Sequence, residues 1–162
     1  MKGLYVIFLK QNTFVIMAVA TRHGIVINPD VQMPSSWNEY ITTVMADSGF
    51  VSKGAIYGTE GRKWAASKGF DVTSDEVKNL VSGFTDPTKL WVQGVKVGGK
   101  IYTCTRSESG LIVGRESAEC TGCVIYRCNK CVVIAVHEEG AHPGGCFNLI
   151  TKLGEYLKEQ GV

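Results

Sequence analysis

Six cysteines and three histidines are the residues of this 162-residue chain that could ligate a metal or act as nucleophiles. Four of the cysteines form two C-x-x-C pairs, Cys120-Thr-Gly-Cys123 and Cys128-Asn-Lys-Cys131, a spacing that builds zinc knuckles in many small domains. Only Val124-Ile125-Tyr126-Arg127 separates the pairs, whereas two knuckles closing on one ion usually stand roughly a dozen or more residues apart. Cys123 and Cys128 also read as the two ends of one β-strand. At about 3.3 Å per residue they would be about 16 Å apart, too far for one tetrahedral site. Cys128 and Cys131 instead flank a two-residue Asn129-Lys130 turn, which makes them hairpin thiols able to cross-link under oxidation. His137-Glu138-Glu139-Gly140-Ala141-His142 approaches the zinc-protease H-E-x-x-H, but its second histidine falls one residue late, and Gly140 and Pro143 make the segment a loop. No oxyanion loop, orienting carboxylate or phosphate-cradling glycine loop stands out. The expectation is a protein with no catalytic residues, no metal and no cofactor. A thiol or zinc module on the two C-x-x-C pairs is the competing reading.

Aromatic residues offer a different chemistry. Trp37 and Tyr40 lie at i and i+3 at the start of the first helical segment, Trp64 on an early strand and Tyr156 on the last helix. These four could simply fill the core. They could equally form one patch if the terminal helices pack side by side, and such a patch suits a polyproline II ligand, whose rigid rings stack on aromatic faces at little entropic cost.

The elements that must position these residues are legible from residue 36 onward. Ser36-Trp37-Asn38-Glu39 is a capping-box pattern opening a helix through Met45, closed by Asp47-Ser48-Gly49. Lys53–Tyr57 and Lys63–Ala66 read as short strands. Thr73-Ser74-Asp75-Glu76 caps a second helix carrying Val77, Leu80, Val81 and Phe84, ended by Asp86-Pro87. Strands are then expected at Leu90–Gln93, Val95–Val97, Ile101–Arg106, Leu111–Arg115, Cys123–Cys128 and Cys131–His137, the last apolar on both faces and so central. A final helix spans about Gly144 to Gln160. Helices at both ends of a strand meander define an α+β domain with an antiparallel sheet.

Residues 1–34 differ from this body. They hold two short apolar runs split by Lys10-Gln11-Asn12, and Ala18-Val19-Ala20 has the look of a signal-peptidase site. The segment reads as a poorly ordered extension or as sequence upstream of a true start at Met33, with export as the alternative. Neither run is long enough to span a bilayer. The +2 formal charge of the chain resides in this segment, which leaves residues 35–162 neutral and argues against a nucleic-acid partner bound by phosphate neutralisation.

From about Ser35 to Val162 the sequence resembles the profilin family, in the compact form of invertebrate, fungal and plant members. The likeness rests on Ser36-Trp37-Asn38-Glu39-Tyr40, Lys63-Trp64-Ala65-Ala66, the hairpin from Gly94 to Tyr102, and the ending Pro143-Gly144-Gly145-Cys146, Leu153-Gly154-Glu155-Tyr156-Leu157 and Glu159-Gln160-Gly161. The resemblance implies a central antiparallel sheet with the N- and C-terminal helices together on one face and smaller helices on the other. It implies a cytoplasmic, cytoskeletal protein that binds monomeric actin and regulates polymerisation, with a second surface for proline-rich proteins and affinity for phosphoinositide headgroups. By position it makes Trp37, Tyr40, Trp64 and Tyr156 the polyproline platform. Val162 stands where the family often has an aromatic residue. It places actin contacts at Arg106, Arg115 and Arg127 on the later strands, His142 and Asn148 near the last helix, and Trp91 and Lys100 at the rim. Asn148 stands where lysine is common. Arg62, Lys63, Arg106 and Arg127 would meet phosphoinositides.

Overall fold

The computed structural model describes residues 36–162 in full and, before them, the backbone of three strands. Those strands, β1 (Tyr5–Gln11), β2 (Phe14–Thr21) and β3 (Gly24–Ile27), form an antiparallel meander. Expectations resting on residues 1–4, 12–13, 22–23 and 28–35, the start at Met33 among them, lie outside the described residues.

The body is built on seven antiparallel strands: β4 (Lys53–Gly58), β5 (Lys63–Ala66), β6 (Val95–Val97), β7 (Lys100–Glu108), β8 (Leu111–Glu116), β9 (Thr121–Arg127) and β10 (Cys131–His137). Their order across the sheet is β5-β4-β10-β9-β8-β7-β6. The expectation of a central β10 holds, since every residue from Cys131 to His137 is buried. Two cores sandwich the sheet. One face packs Ile56, Val124, Val133 and Ala135 against Ile41, Val44 and Met45 of the first helical segment and Cys146, Leu149, Ile150, Leu153 and Leu157 of the last. The other packs Tyr57, Ile112, Ile125, Val132 and Ile134 under Val77, Leu80 and Leu90. Terminal helices therefore share one face and the smaller helices cover the other, as the resemblance implies. No helix among the described residues is long and apolar enough to cross a membrane.

The first helical segment departs from the expected α-helix. Only α1 (Trp37–Glu39) is α-helical; Tyr40–Met45 widens into a π-helix and Ala46–Ser48 tightens to a 3-10 turn before Gly49 at φ +76°. Ser36 does cap it, its hydroxyl accepting from Glu39 N at 3.3 Å. Thr42 then donates its hydroxyl to the Asn38 and Glu39 carbonyls at 3.2 and 3.4 Å, a local bond that competes with the regular ladder at the widening. Helix α2 (Ser74–Gly83) carries the complete predicted capping box. The strand expected at Leu90–Gln93 is instead helix α3 (Thr88–Gln93). Asp86 Oδ1 accepts from both the Thr88 amide and hydroxyl, at 3.1 and 2.6 Å. Leu90 alone of the run is buried, so the apolar stretch never alternates about a sheet. Helix α4 (Pro143–Glu159) starts at His142, whose Nδ1 accepts from Gly145 N at 3.1 Å.

Candidate functional site

Three of the four aromatic residues meet at the start of the body. Trp37 lies 4.9 Å from Trp64 and 5.6 Å from Tyr40, centroid to centroid, with ring planes tilted by 41° and 33°. Tyr156 of α4 completes the group by hydrogen bonding to Tyr40. Burial, first, and this neighbouring phenol, second, push the Tyr40 hydroxyl up to about 12. All four rings are partly exposed and packed on the core under α4, so they form a surface rather than an interior filling.

Trp64 reaches this group through a backbone irregularity. In the β4–β5 ladder Ile56 pairs with Ala65 and Tyr57 with Lys63, which leaves Trp64 as the extra residue of a bulge. In regular register Trp64 would pair with Tyr57 and face the core under α2. The bulge turns it toward α1 instead. Its indole Nε1 is buried and has no hydrogen-bond partner, an unused donor inside the aromatic group. Val162 packs on the same core. Its amide donates to Leu157 O at 3.1 Å, and its carbonyl accepts from Asn129 N at 2.7 Å.

A second bulge shapes the basic residues. Cys104 pairs with Gly114 and Arg106 with Val113, so Thr105 is unpaired in the β7–β8 ladder. The Thr105 hydroxyl donates to Val113 O at 3.3 Å, and the Cys104 thiol donates to Arg106 O at 3.7 Å. Strict alternation would send Arg106 to the α2 side with Tyr102 and Cys104. The extra residue sends it to the α4 side, where its guanidinium stands 5.3 Å from the centre of the Phe147 ring and its Nε donates to Glu108 at 2.7 Å. Arg115 shares that side, in one cross-strand row with Thr103, Gly122 and His137. His142 and the exposed Asn148 lie at the start of α4 beside Phe147. Phe147 carried no signal of its own in the sequence, because one aromatic in an apolar helix looks like core.

The remaining sequence-derived candidates are placed elsewhere. Arg127 pairs with Val132 and so lies on the α2–α3 side, away from Arg106 and Arg115. Trp91 sits on α3, 52% exposed beside the exposed Val92. Lys100 is engaged by Glu119 and by Thr121 Oγ1, the latter at 3.0 Å. Arg62 and Lys63 stand at β5, paired with Glu60 at 3.7 Å and Asp71 at 3.0 Å. Five strand spacings separate β5 from β7, about 24 Å at 4.8 Å each, so Arg62 and Lys63 do not form one patch with Arg106.

The two C-x-x-C pairs do not assemble into one site. Cys123 lies in the core under α2, Cys128 and Cys131 in the core under α4, and Cys120 is exposed. No three metal-ligating side chains cluster among the described residues. His137 is buried at the end of β10 while His142 caps α4, so the loop between them has no shared histidine face.

An α+β sandwich with an aromatic group at one end of α4 and a basic, partly apolar face at the other defines a small two-surface binding module. Residues 35–162 match the family model described as Profilin. Profilin-1 of Dictyostelium discoideum is 30% identical over 127 residues, covering 78% of this chain and 98% of that one. The crystal structure of Acanthamoeba castellanii profilin II superposes with a TM-score of 0.75 at 31% identity, over 78% of this chain and 100% of the other. The fold is shared further with mouse profilin IIa, solved in complex with a double repeat from an FH1 domain, at TM-score 0.67 and 23% identity over 79% and 100% of the two chains. The chain belongs to the profilin family, whose members are actin-binding regulators of polymerisation acting in the cytoplasmic actin cytoskeleton.

Proposed function

We propose that this chain binds monomeric actin through the face formed by Arg106, Arg115, Phe147, His142 and Asn148. Proline-rich segments bind on Trp37, Tyr40, Trp64 and Tyr156. The observation that carries this reading is the position of both groups on α4. Phe147 and Tyr156 are nine residues apart, about 13 Å along the helix at 1.5 Å per residue. The two ligands can therefore be held at once. A monomer bound at the basic face is carried to growing ends while the aromatic end is tethered to a proline-rich assembly factor. The chain works by binding and release, with no covalent step. Residues 35–162 are the binding domain, and 1–34 an extension to it.

On the platform, proline rings stack on the tilted indoles. Phosphoinositide headgroups are met by Arg62, Lys63, Arg106 and Arg127 as separate contacts rather than one pocket. Arg62, Lys63 and Arg106 already hold an exposed carboxylate, and solvent-screened pairs of this kind are weak, so an incoming phosphate displaces it at little cost.

Titration of the protein with polyproline, followed by tryptophan fluorescence, tests the platform, since Trp37 and Trp64 lie within it and Trp91 does not. Arg106→Glu tests the actin face. It is expected to weaken monomer binding about tenfold or more, or 1.4 kcal/mol, and to leave the polyproline curve unchanged. Equal weakening of both by a folded variant refutes two separate surfaces.

A further inference from the structure

The β9–β10 turn brings together two thiols that neither binding surface uses. The ladder that pairs Arg127 with Val132 continues one step, where Cys128 N donates to Cys131 O at 2.8 Å. Both side chains enter the core under α4, so they lie on the same side of the sheet. Directly opposed residues of a hydrogen-bonded antiparallel pair have Cα atoms about 5.5 Å apart, inside the roughly 4.4–6.8 Å that a disulfide spans. The thiols are free in this structure. The Cys131 thiol donates to the Cys128 sulfur, and with Lys158 nearby this holds Cys128 below the usual thiol range while Cys131 is pushed up. Cys128 in turn donates to Gly154 O at 3.5 Å. Burial pushes the other interior thiols, Cys104, Cys123 and Cys146, upward, and Cys120 is exposed.

We propose that Cys128 and Cys131 are a reversible redox-modification site, closing an intramolecular disulfide when hydrogen peroxide oxidises Cys128. The Cys128 thiolate attacks a peroxide oxygen, the O–O bond breaks, and the leaving hydroxide takes up the proton that Cys128 released. Cys131 sulfur then attacks the resulting sulfenic acid; the S–S bond forms, the S–O bond breaks, and hydroxide departs with the Cys131 proton as water. Two thiols are oxidised, and one hydrogen peroxide is reduced to two waters. A bridge at a hydrogen-bonded position must draw the Cβ atoms closer than the open pair holds them, which keeps it within reach of a cellular dithiol.

The full chain is exposed to hydrogen peroxide, its free thiols are alkylated after unfolding, and tryptic peptides are weighed. Trypsin cuts after Arg127 and Lys130, so a bridge links the peptide 128–130 to the one beginning at Cys131. The expected product is this linked pair with Cys146, which lies in the same peptide as Cys131, carrying the alkyl group; it is lost on treatment with dithiothreitol, and a bridge at Cys146 instead of Cys131 overturns the proposal. Complete alkylation of both thiols under conditions that oxidise the exposed Cys120 overturns the proposal. In Cys131→Ser, dimedone should trap Cys128 as the sulfenic acid. Labelling there no greater than at Cys123 would refute Cys128 as the attacking group. The wild-type mapping stands whether or not that variant folds.

Discussion

Replacing Gly154 by alanine pits two effects of opposite sign against each other, and the structure says which one wins. Gly154 lies in the middle of α4, where glycine costs about 0.8–1.0 kcal/mol relative to alanine. On helix propensity alone the substitution should stabilise the protein by that amount. A Cβ at this position, however, would overlap Tyr126 at ring atoms Cγ and Cδ1, with Cε1 2.7 Å away. Cγ is the root of the ring, so the clash cannot be relieved by swinging a flexible tip aside; either the whole ring or α4 must move. Overpacking of this kind costs about 1–3 kcal/mol and can exceed the helix gain. The expected result for Gly154→Ala is a net loss of up to about 2 kcal/mol, read as a lower urea midpoint at constant slope. Tyr126→Leu combined with Gly154→Ala should recover stability relative to Gly154→Ala alone, because the space then exists and the helix gain returns. The loss should also reach the platform, since Tyr156 is two residues further along and α4 would be lifted. A single variant that is more stable by about 1 kcal/mol would refute the claim that Gly154 sets the height of α4 above the sheet.

Three further outcomes follow from buried polar groups and from the platform. Glu76→Ala should cost about 2 kcal/mol in thermal or urea unfolding, because the buried carboxylate accepts from Thr73 N and Gly99 N at 2.9 Å each. Glu76→Gln, which keeps one acceptor oxygen, should cost about half as much. His137 is buried with Nδ1 unpartnered, and burial, aided by Arg115, holds it below the usual histidine range. The folded state thus binds its proton less readily than the unfolded chain. Its contribution is complete above about pH 6.5 and declines as pH falls below that toward the folded-state value. His137→Gln should flatten that part of the stability profile, and an unchanged slope would count against it. Trp37→Ala should abolish the polyproline fluorescence change while Trp91→Ala leaves it, since Trp37 bridges Trp64 and Tyr40.

Much of this architecture could be read in the chain because its signals are local. The Thr73–Glu76 capping box, the Asn129-Lys130 turn and the unbroken apolar run of β10 each state their structure within a few residues. At α3 the sequence points to a strand because Leu90-Trp91-Val92 is too short for period to separate helix from strand. The deciding bonds come from Asp86, outside the run. The π-helical widening at Tyr40–Met45 was illegible for a related reason, since its residues are compatible with either helix. At the candidate sites residue identity was legible but side was not. Arg106 and Arg127 look alike in sequence, yet only Arg106 shares a face with Arg115 and Phe147. Phosphoinositide candidates chosen by charge alone were scattered across the sheet for the same reason.

The two bulges bear on how relatives should be compared. At Trp64 and at Thr105 one supernumerary residue reverses the parity of a strand, so the side a residue serves depends on a count as well as on its identity. A relative that lacked the Thr105 insertion would need its basic residue one position nearer the β7–β8 turn, or one position further from it, to present charge to the same partner. Aligned column by column, the two would seem to have lost and gained an arginine while keeping the same surface. Conversely, a relative with arginine in the matching column but without the bulge would turn that charge toward its own core, where a buried cation without a partner would oppose folding. Insertions and deletions of one residue in these two strands are therefore changes of ligand-facing chemistry, even when every neighbouring side chain is retained.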